Sequence, residues 1–175
     1  MSNELLKLRI VADTEEDIFA DVLLHTSCHL LSLHHFILDL FKLDQLEMAS
    51  FYLSNDEWDK GEEITLFDMS LEEDEFSPMS MESTSIFQIH EKTNKILYVH
   101  DFLNMNIFYV EILDLLPSNQ NHAEIQLIHH FGTYMPKKMI TDEEDINMEQ
   151  INEIYDEFNE DPLNGDYEEL DEDLY

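Results

Sequence analysis

The sequence predicts an α+β domain followed by an acidic tail, and three observations lead there. Two short segments near the N-terminus alternate apolar with polar residues, as half-buried strands do. One segment, Leu30 to Phe41, repeats apolar residues at helical spacing. Beyond Thr141 the composition turns abruptly to carboxylates. The expected organisation is one domain over residues 1–141 and an acidic C-terminal tail over 142–175.

Taken in order, Leu6, Leu8 and Ile10 alternate with Lys7 and Arg9, giving a first strand. The polar stretch ADTEED follows, and then Ile18, Ala20, Val22 and Leu24 share one side of a second strand. Two such runs across a short polar loop read as a hairpin. In HLLSLHHFILDLFKLD, the residues Leu30, Leu33, Ile37 and Phe41 form a stripe that Leu31 and Leu38 widen. A helix apolar over so much of its circumference is expected to be largely buried. It should start at His29 or Leu30, with Thr26 and Ser27 offering capping hydroxyls.

EMASFYLSN reads as a short strand closed by Ser54-Asn55-Asp56. The pattern weakens between Glu57 and Ser85, where a short apolar ITLF precedes the acidic, Ser/Met-rich EEDEFSPMSMESTS. That run is expected to be a mobile loop. STSIFQIHEK suits one or two helical turns capped by Ser83 or Ser85. KILYVHDFLNMNIFYVEILDL gives two strands about a connector near FLNM, and its β-branched and aromatic residues favour that reading. AEIQLIHHF is the last expected strand. In the tail, Ile151, Ile154, Tyr155 and Phe158 suit one side of a short acidic helix that like charges weaken. A disordered end is expected from about Asp161, on composition.

The chain carries 41 acidic residues against 8 basic ones, a formal net charge of −33. Residues 142–175 hold 16 of the acids and no base, which leaves a body of net −17. Such a surface repels phosphate backbones and anionic lipid, so direct nucleic-acid binding and membrane binding are not expected. A basic protein partner remains compatible with it. No segment approaches the roughly 18 apolar residues of a membrane span, and the N-terminal MSNELLKLRI does not read as a signal peptide. With a single cysteine there is no internal disulfide, so a cytoplasmic location is expected.

The order of segments resembles the plasmid pRiA4b Orf-three-like family. Leu33-His34 matches its leucine-histidine pair early in the first helix, and Phe51-Tyr52 its aromatic strand. KILYVHDFLNMNIFYVEIL is similar to its Tyr-x-x-Asp-Phe segment and following strand, which places Tyr98, Asp101, Phe102 and Glu111 as motif residues. The similarity runs from about Leu5 to Asp114. Many members carry Trp-Arg where Phe19-Ala20 stands here, and Gly-Asp where Leu103-Asn104 stands. The resemblance implies a curved, mainly antiparallel sheet packed by a hydrophobic helix. It implies no established chemistry.

Candidate sites centre on LLHTSCHLLSLHH. His25, Cys28, His29 and His34 are of the types that hold zinc, but there is no Cys-x-x-Cys pair. The strand reading also splits them among a strand end, a connection and a helix. Cys28 with His25 or His29 as base is a second candidate, against the commoner buried inert thiol. His34 lies on the apolar side of the helix and reads first as a packing residue. Asp101 reads as an acceptor for turn amides. Phosphate loops need clustered glycines, and the three here lie far apart at Gly61, Gly132 and Gly165. No cofactor is expected. The functional expectation is a non-enzymatic cytoplasmic binding module with an acidic arm. The alternatives are a metal-binding or Cys/His-dependent enzyme, and an acidic mimic of nucleic acid that engages a DNA-binding protein.

Overall fold

The structure is a computed structural model that describes residues 4–69, 78–118 and 123–138. The chain divides into two units, Met1–Lys138 and Met139–Tyr175. The first is described below. The acidic helix and disordered end expected in the tail lie outside the described residues, as does the loop core at 70–77.

The described chain is an α+β fold built on one eight-stranded sheet. Its strands are β1 (Glu4–Ala12), β2 (Phe19–His25), β3 (Ala49–Leu53), β4 (Glu63–Thr65), β5 (Met79–Ser80), β6 (Lys95–His100), β7 (Asn106–Pro117) and β8 (Ile125–Phe131). They lie in the order β5-β4-β3-β6-β7-β1-β2-β8. Every pairing is antiparallel except β4 with β5. Register shifts between Lys7 and Leu8 of β1, and between Asp21 and Val22 of β2, mark bulges that bend and twist the ladder.

The alternation read from sequence sets which side of the sheet is buried. Leu6, Leu8 and Ile10 of β1 and Ala20, Val22 and Leu24 of β2 are fully inaccessible. They join Phe51, Ile96, Tyr98, Phe108 and Val110 under helix α1 (Leu30–Phe41). From α1 itself Leu30, Leu33, His34, Ile37, Leu38 and Phe41 point into this layer. Each fully buried Leu or Ile contributes about 1.5–3 kcal/mol relative to exposure. Lys42 ends the helix in the left-handed region (φ 53), its N–H donating to the Leu38 carbonyl.

Two expectations about α1 and its neighbour are corrected. The cap residue of α1 is His29, and no side chain caps it, so Thr26 and Ser27 do not supply the hydroxyl. The first-turn amides are satisfied by backbone instead: Leu30 donates to the Thr84 carbonyl at 2.9 Å and Leu31 to that of Met81 at 3.0 Å. Helix α2 (Ile86–His90) returns the arrangement, with Ile86 donating to the Cys28 carbonyl and Phe87 to that of Thr26. The stretch from Met79 to Thr84, expected to be part of a mobile loop, is therefore built structure. Met79–Ser80 is β5, and Met81 and Thr84 are buried. Ser85 caps α2 through a full capping box with Gln88. Among the described residues no helix is long and apolar enough to cross a membrane.

Candidate functional site

The four candidate ligands of the His/Cys stretch are divided among four places. His25 ends β2, Cys28 lies in the buried connection, His29 is the exposed cap of α1, and His34 is inside the core. Among the described residues, no three His, Cys, Asp or Glu side chains gather as a metal site would require. The Cys28 Sγ is within 3.5 Å of the His29 carbonyl, and burial, reinforced by nearby Glu124, pushes the thiol up to about 12. A thiol so rarely ionised is a poor nucleophile. His34 Nδ1 makes a buried hydrogen bond of 2.8 Å with the Tyr98 hydroxyl. Burial first, then His35 and His100, lowers the His34 pKa to about 4, which keeps the ring neutral at neutral pH.

The remaining motif residues also separate. Leu33 and Tyr98 are core residues, and Phe102 is exposed on the β6–β7 turn. Asp101 sits in that turn at φ 56, and its Oδ1 accepts from the amides of Leu103 (3.1 Å) and Asn104 (3.2 Å). The Asn104 side chain donates to Oδ2, and these bonds together hold the Asp101 carboxyl below its usual range. Glu111 is at the other end of the hairpin, paired with Lys95 on β6 and with Arg9 on β1. Asp101 and Glu111 therefore form no acid–base pair.

What the fold does assemble is the sheet face opposite α1. Direct cross-strand partners share a face, so the register builds two rows there. The first runs Tyr52, Leu97, Tyr109, Val11, Phe19, Phe131. The second runs Lys95, Glu111, Arg9, Asp21, His129, with charge alternating from Lys95 to Asp21. Arg9 donates to both Asp21 oxygens, at 2.7 and 2.9 Å, and its guanidinium lies 4.8 Å from the centre of the Phe19 ring. That pair lowers the Asp21 pKa and raises that of Arg9.

The β3–β4 connection then folds Trp58 onto this face. Asn55 organises the connection: its Oδ1 accepts from the amides of Glu57 and Asp59, and its carbonyl accepts from Trp58 N. Gly61 approaches β3 so closely that a Cβ would lie 2.6 Å from the Leu53 carbonyl oxygen. Trp58 itself takes a left-handed backbone conformation, φ 62. Its indole meets Tyr109 edge-on, with centroids 5.1 Å apart and planes at 73°. Tyr52, Leu97, Val99, Ile107, Tyr109 and Trp58 form a second apolar cluster, separate from the core under α1.

Beside Trp58 is a hollow of about 480 Å³ lined by Val11, Glu57, Trp58 and Tyr109. The Tyr109 hydroxyl donates to Asp13 Oδ1 at 3.5 Å, which places a second carboxylate near the hollow. Cations already use these rings: the Lys95 ammonium is 5.1 Å from the Trp58 centre and that of Lys60 is 4.1 Å from Tyr52. Asp56 neutralises Lys95 at 3.2 Å. Aromatic faces with neighbouring carboxylates attract cations. Trp58 was missed in the sequence because its segment has no periodicity. The signal present was the chain's only tryptophan in a polar stretch.

No family model and no curated protein matches the sequence. Among solved structures, the chain is similar to a protein of unknown function from Methanosarcina mazei Go1. The TM-score is 0.63 at 13% identity, over 93% of this chain and 85% of that one. That likeness concerns the fold.

Proposed function

We propose that this chain is a non-enzymatic, cytoplasmic binding module that takes a basic segment of a protein partner on its open sheet face. The observation that carries the reading is the Trp58–Tyr109 hollow with Glu57 on its wall and Asp13 at the Tyr109 hydroxyl. An arginine or lysine side chain entering it would gain about 0.5–2 kcal/mol from the rings. The surplus of carboxylates adds long-range attraction that salt screens. The acidic arm from Asp142 serves the same class of partner in this reading. Membership of the plasmid pRiA4b Orf-three-like family is part of the proposal, supported by the contact that joins His34 to Tyr98.

A Cys/His enzyme or a metal protein is disfavoured by the depth of Cys28 and by the engagement of His34 with Tyr98. The second reading is an acidic mimic of nucleic acid, for which the 16 acids after Thr141 speak. Calorimetry with defined arginine-rich peptides tests the first reading. Binding to the intact chain, weakened about tenfold by Trp58→Ala and by Glu57→Gln, supports it. Affinity unchanged by both substitutions sinks it. Capture of a DNA-binding protein that duplex DNA then displaces would instead favour the mimic.

A further inference from the structure

Strand β8 ends the sheet at a long edge of unusual composition. On one side it pairs with β2, and among the described residues no strand pairs its other side. The opposite edge is protected by brevity, since β5 is only two residues long. β8 has seven residues, IQLIHHF, with no lysine, proline or carboxylate among them. Those are the residues by which edge strands are usually made unattractive to other strands. Leu127, Ile128 and Phe131 are 40%, 48% and 53% exposed.

The backbone direction is set by one contact of the ladder. His25 N donates to the Glu124 carbonyl at 3.2 Å. Alternation along an antiparallel pair then turns the N–H groups of Ile125 and Leu127 away from β2, toward the free side of the edge. Acids bracket this strand. Glu124 immediately precedes it. At its other end Glu15 and Glu16 line a hollow of about 320 Å³ with Thr14, Ile18, Thr133 and Met135.

That pattern, acid–apolar–acid along an open edge, selects among occupants. If a second copy added in antiparallel fashion, the Glu124 end of one β8 would face the Glu15–Glu16 end of the other. Like charges would meet at both ends. A strand with apolar residues at its centre and basic residues at its ends meets complementary charge instead. We infer that β8 accepts an extended segment of a basic partner as a ninth strand, with a lysine or arginine of that segment at the Glu15–Glu16 hollow. Main-chain bonds to β8 supply affinity, and Leu127, Ile128 and Phe131 supply apolar contact. The inference rests on the reading that the partner is basic, and adds a second, separable surface to it.

The test uses the full chain and a synthetic peptide of alternating valine and threonine with two lysines at each end. A control peptide has the same sequence with alternate backbone amides N-methylated, which removes strand pairing and keeps the charge. Calorimetry should show at least about tenfold weaker binding of the methylated peptide. Hydrogen exchange at Ile125 and Leu127 should slow only with the unmethylated one. Leu127→Pro should reproduce the loss, and the pair Glu15→Gln with Glu16→Gln should lower the salt dependence. Equal binding of both peptides would overturn the inference, because charge alone would then explain it. So would self-association of the free chain that Leu127→Pro abolishes, since a second copy would then own the edge. Failure here leaves the Trp58 hollow standing, because a compact cation that cannot form a strand tests that site separately.

Discussion

His34 Nδ1 in α1 lies 2.8 Å from the hydroxyl oxygen of Tyr98 in β6, a polar bond within the apolar layer between helix and sheet. Both rings are nearly inaccessible, His34 at 3% and Tyr98 at 0% exposure. Burial raises the Tyr98 pKa, so the phenol stays protonated and the bond persists between two neutral groups. Tyr98 also packs on Phe51 and Phe108, at centroid distances of 4.8 and 6.0 Å. The pair thus fixes where α1 crosses the centre of the sheet.

Tyr98→Phe keeps the packing and removes the hydroxyl, leaving a ring nitrogen of His34 buried without that partner. The cost should be about 1–3 kcal/mol, measured by urea unfolding. Combining it with His34→Leu should cost less than the sum of the two single changes. Strict additivity would mean that the two residues are not coupled.

The pH dependence follows from the same residue. In the unfolded chain histidine titrates near its ordinary value, about 6.5, whereas folded His34 does so at about 4. As pH falls through this window the unfolded state takes up a proton that the folded state refuses. Stability from this group is therefore fully present above about 6.5 and declines toward pH 4, on the order of 3 kcal/mol in all. Unfolding midpoints for the wild type and His34→Gln should diverge over that range. Parallel curves would contradict it.

Cys28 should be inert in the folded protein. With its pKa near 12, the thiolate is scarce at neutral pH. Alkylation of the native chain at pH 7.5 should be at least about 100-fold slower than in denaturant. Comparable rates would show an accessible, ionised sulfur.

Capping provides a contrast between two sets of hydroxyls. Ser85 accepts from the Gln88 amide, and the Gln88 side chain accepts from Ser85 N, so Ser85→Ala should cost about 1 kcal/mol. Thr26→Ala and Ser27→Ala remove no helix cap and should stay within about 0.5 kcal/mol. A larger loss at Thr26 or Ser27 than at Ser85 would reverse the assignment.

That contrast also marks what the sequence could and could not convey. Period-two alternation in β1 and β2 predicts which residues are buried, because a strand repeats every second residue. The stripe of α1 does the same for a helix, with His34 falling on its buried side. The cap of α1 was invisible because it consists of the Met81 and Thr84 carbonyls, and backbone groups leave no mark on composition. The polar stretch containing them looked like a free loop for that reason. The division of His25, Cys28, His29 and His34 among elements was readable, since each element boundary was. The open face was not: its rows join residues from six strands, and register between distant strands cannot be read from any single segment. Trp58 reaches that face only through a left-handed turn in a segment without period.

Trp58 is the only tryptophan in the chain, so its fluorescence reports on the proposed site alone. A three-arginine amide, too short to pair as a strand, should change that emission saturably at low ionic strength. The change should fade at roughly 0.5 M salt, where charges are screened within a few ångströms. Glu57→Gln should weaken the response without altering the fold. Emission that stays constant throughout the titration, with the protein folded, would contradict a cation-binding role for the Trp58–Tyr109 hollow.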